Sequence, residues 1–231
     1  MKNKIIGLCL AISFTLLMLN SCSKNDGAGQ HIPSAGFMAF NLAVDQPTVG
    51  FALSGNVLSP VPIPFTGYTG NYLSIFTGTR QLRVYDFFNG FTLSGGNYTF
   101  LDSNYYSAFF MGYNGAYRTE LVQDDFSTVV PTAGKAWVRY VNAVADSNAR
   151  PIVRIGSFSE TLAYAGVSAF MPVDAGNLTV SIENGTQFSV NRNIVVEENK
   201  IYTLLFVGQP QHSNPDQAVQ IRFIQNGTAT P

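Results

Sequence analysis

The chain has 231 residues, of which 12% are charged and 13% aromatic, at a formal net charge of −1. Charge at about half the usual frequency leaves no basic stripe with which to neutralise phosphates, and this excludes a nucleic-acid partner. What remains is a surface of Asn, Ser, Thr, Gly and Tyr, over a chain long enough for one large or two small domains held by their cores alone.

At the amino terminus Lys2 and Lys4 precede an apolar run from Ile5 to Leu19 that only Gly7, Ser13 and Thr15 interrupt. A spanning helix needs about 20 apolar residues, so this shorter run is expected to be a signal peptide over residues 1–21 and not a permanent anchor. Leu19-Asn20-Ser21-Cys22 resembles a bacterial lipobox, which implies cleavage before Cys22 and lipidation of its thiol. Cys9, the only other cysteine, leaves with the leader, so the mature chain has no internal disulfide. Each buried lipid methylene contributes about 0.8 kcal/mol, and the acyl chains of such a cysteine make a stable hold on the membrane.

Residues 22–36 carry Gly, Ser, Asn and Pro without hydrophobic period and read as a flexible tether. Ser23 after the cysteine looks like the outer-membrane sorting choice of some Gram-negative bacteria, and the composition and tether look like lipoproteins of Bacteroidota, many of which reach the cell surface. The expectation is an exported protein, lipid-anchored at the outer membrane, with the membrane as a partner through its lipid.

Beyond the tether the chain repeats itself. Tyr68-Thr-Gly70 recurs as Tyr164-Ala-Gly166, Gln81-Leu-Arg-Val84 as Asn177-Leu-Thr-Val180, and Tyr106 to Gly112 as Tyr202 to Gly208, each time 96 residues on. Upstream, Phe37 to Ala43 lies over the segment from Val138 with a different spacing. This predicts two tandem domains, 37–123 and 136–231, with a linker at 124–135 where charge, Pro131 and Gly134 mix. One continuous sandwich with two similar halves is the competing reading.

In the second repeat seven segments read as strands: 137–144, 152–155, 167–173, 178–183, 194–197, 201–208 and 219–225. They are short, rich in β-branched and aromatic residues, and separated by turn signals. Asn114-Gly115 and Asn184-Gly185 suit two-residue hairpins, whose central residues need positive φ. Tyr106 and Tyr202 open the penultimate strand of their repeats, where a hydroxyl can fold back onto the preceding corner. The predicted fold is all-β, two immunoglobulin-like β-sandwich domains.

Arg139-Tyr-Val-Asn-Ala-Val-Ala-Asp146, the strand Ile152 to Gly156, and Tyr164 through Val180 together resemble the bacterial secreted domain DUF4397, a domain of unknown function. The resemblance covers 136–225 and, loosely, 37–122, where Gly78-Thr-Arg80 stands in place of Asp174-Ala-Gly176. It implies a β-sandwich on an exported protein and carries over no catalytic residue.

Catalytic constellations are missing from the pattern. His31 and His212 lack metal-ligand spacing, no cofactor is implied, and Gly166-Val-Ser168-Ala-Phe170 lacks the second glycine of a nucleophile elbow. Asp124-Asp125 and Glu197-Glu198 read as solvated turn charges. The chain is therefore expected not to be an enzyme, although a dispersed carboxylate pair for glycoside hydrolysis would be recognisable only in the fold.

Most open to a functional reading is the aromatic load of the first repeat. Adjacent pairs such as Phe87-Phe88, Tyr105-Tyr106 and Phe109-Phe110 cannot all face one core, because neighbours on a strand point to opposite faces. Tyr68, Tyr72, Tyr105, Tyr113 and Tyr117 are the candidate ligand-binding aromatics, flat rings for sugar faces among amides for hydroxyls. The leading expectation is a non-enzymatic surface binding or adhesion module for glycan or an envelope protein. A structural spacer or fimbria-like subunit is the alternative.

Overall fold

The computed structural model describes residues 31–145 and 150–230; the segment read as a signal peptide, Cys22, most of the segment read as a tether and Asp146 lie outside the described residues. No helix of the described residues is long and apolar enough to cross a membrane. The described chain is all-β, as expected, and residues 33–231 form one compact unit. Among the described residues seventeen strands run in chain order. The first repeat holds β1 (Ser34–Ala43), β2 (Thr48–Leu53), β3 (Asn56–Val57), β4 (Ile63–Pro64), β5 (Leu73–Phe76), β6 (Gly78–Asp86), β7 (Thr92–Phe100), β8 (Tyr105–Tyr113) and β9 (Ala116–Gln123). The second holds β10 (Lys135–Val144), β11 (Ile152–Ile155), β12 (Phe158–Thr161), β13 (Met171–Asp174), β14 (Gly176–Asn184), β15 (Phe188–Val196), β16 (Lys200–Gly208) and β17 (Gln220–Thr228).

The two repeats have the same topology. The order β5-β1-β8-β9 recurs as β13-β10-β16-β17, and β3-β2-β6-β7 recurs as β12-β11-β14-β15, with β4 an addition beside β2. In each repeat the first strand lies parallel to the penultimate one in mid-sheet, β1 on β8 and β10 on β16. The two sheets of each repeat close over their own core. Phe37, Phe51, Leu82, Val84, Phe100 and Phe110 fill the first, and Val138, Tyr140, Val153, Val180, Leu204 and Phe206 the second.

A third cluster accounts for the residues of β1, β8, β10 and β16 that point away from those cores. Met38, Phe40, Leu42, Phe109 and Met111 pack against Val141, Ala143, Leu205 and Val207. The sheets carrying these strands are thus covered on both faces, and the stack has four layers. This explains why the four central strands are buried along nearly their whole length, whereas β6, β7, β14 and β15 alternate. It also sorts the adjacent aromatics: Phe110 enters the first sandwich while Phe109 faces the second repeat.

Local geometry confirms several readings and corrects others. The Tyr106 hydroxyl accepts from the Leu101 N–H at 3.0 Å and the Tyr202 hydroxyl from the Glu197 N–H at 3.1 Å, the same corner in both repeats. Asn114-Gly115 forms the two-residue hairpin between β8 and β9 with positive φ at both residues. Asn184-Gly185 does not: Asn184 pairs with Phe188, which leaves a three-residue loop, 185–187.

The uniform spacing of 96 also fails. Corresponding residues, matched by pairing, are 101 apart at Phe37 and Val138, 98 apart at Gly78 and Gly176, and 96 apart only by Tyr106 and Tyr202. Insertions in the loops absorb the difference. Tyr68 therefore does not correspond to Tyr164. The N–H of Asn41 donates to Gly67 O as that of Asn142 does to Gly166 O, and Phe40 bridges Tyr68 as Val141 bridges Val167.

Candidate functional site

The shared asparagine is structural. The Nδ2 of Asn41 donates to Ile63 O at 3.1 Å and that of Asn142 to Leu162 O at 3.0 Å, while each Oδ1 accepts the N–H two residues on. Both side chains are fully buried and secure the segment that crosses beside the sheet.

Of the candidate tyrosines, only Tyr72 and Tyr105 come together. Tyr105 opens β8 and Tyr72 directly precedes β5, at the end of the first sandwich where β1 begins; their rings meet edge to face at 5.0 Å. Phe126, from the segment between the repeats, closes on both, at 6.1 Å from Tyr72 and 5.6 Å from Tyr105, and stacks on Phe170 of the second repeat at 5.2 Å. Tyr105 remains 45% exposed, with its ring lying over Gly36, where a Cβ would come within 2.4 Å of it.

The other three serve elsewhere. Tyr68 stacks on Phe40 at 5.6 Å within the packing between repeats. Tyr117 lies on Phe110, and its hydroxyl accepts from Gln46 Nε2 at 2.6 Å. Burial pushes its phenol up. Tyr113 closes β8 at the far end from Tyr105.

Two cavities flank the Tyr72 and Tyr105 rings. One, of about 340 Å³, is lined by Ser34, Gly36, Ser74, Ser103 and Asn104; the other, of about 310 Å³, by Phe126, Ile201, Asn226, Thr228 and Thr230. Neither lining contains a charged side chain. A larger cavity of about 630 Å³ opens between the sheet edges of the second sandwich, near Phe158, Met171 and Asp174, and a smaller counterpart near Leu53, Ser74 and Phe76 opens in the first.

Behind the rings is a polar network that the sequence reading missed. The Tyr72 hydroxyl donates to Asp124 Oδ2 at 2.5 Å, and the Ser107 hydroxyl donates to the same oxygen at 2.6 Å. Asp124 Oδ1 pairs with the Arg139 guanidinium, which also donates from Nε to Thr203 Oγ1 at 2.9 Å and from Nη2 to Ser107 Oγ at 2.7 Å. Thr203 in turn donates to Asn226 Oδ1 at 2.6 Å. The Asp124 carboxylate is wholly buried. Asp124 is thus not a solvated turn charge, while Asp125, Glu197 and Glu198 are exposed as expected.

Burial, with the Asp124 carboxylate beside it, pushes the Tyr72 phenol well above its ordinary range, so it stays protonated and remains a donor. The network fixes the orientation of Tyr72, and through ring contact that of Tyr105. Among the described residues no group of three His, Cys, Asp or Glu is placed to hold a metal ion.

No curated protein matches the chain. Residues 136–231, which carry Arg139, Asn142 and the corner of Tyr202, match the family model described as Domain of unknown function (DUF4397), so the second sandwich is similar to the domains of that family.

Proposed function

We propose that this is a lipid-anchored protein of the cell envelope, exported and held through Cys22, whose Tyr72 and Tyr105 cleft binds glycan without catalysis. The observation that carries the reading is the cleft itself. Two tyrosine rings, one pinned by a buried carboxylate and the other 45% exposed, stand between two cavities lined by serine, asparagine and threonine. A sugar ring has an apolar face for an aromatic plane and hydroxyls for short polar side chains, and a preoriented ring loses little entropy on binding. The apolar leader and the Leu19 to Cys22 segment support the anchor.

The carboxylates favour binding over hydrolysis. Asp124 is neutralised by Arg139 and takes two further hydroxyl donors, so it is occupied as a structural acceptor. A broad glycan array probed with micromolar protein tests the reading. Binding is expected, with Tyr105→Ala weakening it about tenfold, equivalent to about 1.4 kcal/mol, and Tyr113→Ala leaving it unchanged. Silence across the array, or equal loss from both variants, would sink the assignment.

A further inference from the structure

The hairpin joining β6 to β7 holds three phenylalanines that neither the cores nor the cleft uses. In the second repeat the corresponding loop is Gly185-Thr186-Gln187, whereas the first repeat has two more residues and reads Phe87-Phe88-Asn89-Gly90-Phe91. Phe88 is 76% and Phe91 72% exposed. Phe87 is half-buried and meets Phe88 edge to face at 5.6 Å.

The tip is built. Asp86 Oδ1 accepts the N–H groups of Phe88 at 2.9 Å and Asn89 at 3.0 Å, and its Oδ2 accepts Asn89 Nδ2 at 2.9 Å. The Gly90 N–H donates to Asp86 O at 2.8 Å and the Asp86 N–H to Phe91 O at 2.9 Å, while Arg83 donates to Gly90 O at 3.3 Å. These bonds occupy four N–H and three C=O groups of the tip, which lowers the cost of bringing it to a medium without water, since unsatisfied peptide groups are what oppose such transfer. The tip presents phenyl rings at a hairpin apex, a convex shape suited to penetrating a soft apolar phase.

We propose that Phe88 and Phe91, backed by Phe87, insert into the headgroup and acyl boundary of a lipid bilayer. This rests on the anchored reading above, which brings a bilayer within reach. The tip and Ser34 lie at opposite ends of the first sandwich, separated by about 30 Å along β6 at roughly 3.3 Å per residue. The stretch from Cys22 to Ser34 extends to about 40 Å at roughly 3.3 Å per residue. The tether is therefore long enough for the tip to touch the membrane while the tyrosine cleft points away from it. Asp86, whose carboxyl is held below its ordinary range by the Asn89 N–H groups, stays ionised at the strand end and keeps insertion shallow.

The test places a reporter at the apex. The full chain with Phe88→Trp, reconstituted in phosphatidylcholine vesicles, is expected to gain blue-shifted emission over the wild type, whose single Trp137 is buried; brominated acyl chains should quench that gain. Asn97→Trp, on the exposed edge of β7, should give water-like, unquenched emission. Flotation reads the anchor separately. A chain that floats with an unquenched Trp at position 88 overturns insertion alone, and one that does not float overturns both readings.

Discussion

Asp124 and Arg139 show how much a pair of side chains can settle. Their charges lie out of water between the two repeats, with Ser107, Thr203 and Tyr72 taking up the remaining hydrogen bonds. Such a pair adds little over apolar packing when intact, but truncating one partner strands the other. Asp124→Ala is expected to cost about 3–5 kcal/mol, and Tyr72→Phe, which removes one bond to a charged acceptor, roughly 1.5–3 kcal/mol. Urea midpoints at unchanged slope would check both values. Asp124 could not be read from its neighbours, because its donors stand 15, 17 and 52 positions away. One signal was available: Arg139 interrupts a strand apolar on both faces, and a cation there requires an acceptor. Tyr72 and Tyr105 were legible as aromatics with too many faces for one core, whereas their meeting depended on Phe126 from the connecting segment.

Strands and corners were the most legible part of the chain. The segment 152–155 was found with its observed bounds, and 201–208 fell one residue short, because short β-branched runs between turn signals leave few other assignments. Phe158–Thr161 was missed; it is a four-residue edge strand with three exposed residues and no apolar alternation to mark it. The repeat was visible, but its register was not, since β-strands tolerate length changes between them and sparse identities align by chance. The tyrosine corners gave the sound alignment because their chemistry is positional. Tyr106→Phe and Tyr202→Phe each leave a backbone N–H without its acceptor and are expected to lower stability by about 0.5–1.5 kcal/mol, in both repeats alike. Paired thermal melts would show this, and a loss confined to one variant would mean that the corners are not equivalent.

Across the molecule, the central sheets are covered on both sides, so neither repeat is complete alone. Residues 136–231 expressed by themselves would expose Val141, Ala143, Leu205 and Val207 and strand Arg139 without Asp124. That fragment is expected to aggregate or self-associate at concentrations where residues 33–231 remain dispersed and unfold in one transition; light scattering and calorimetry would distinguish the two cases. Runs of buried residues in β1, β8, β10 and β16 were legible as strands, but their lack of alternation was the sign of a four-layer stack. Joining the two repeats in one chain has a further effect. In two identical copies every substitution appears twice, whereas here position 38 is methionine and the corresponding position 139 is arginine. Covalent fusion is what allows one half to keep a thioether and the other to carry a cation, so the seam between duplicated halves could diverge into a lock with a single key.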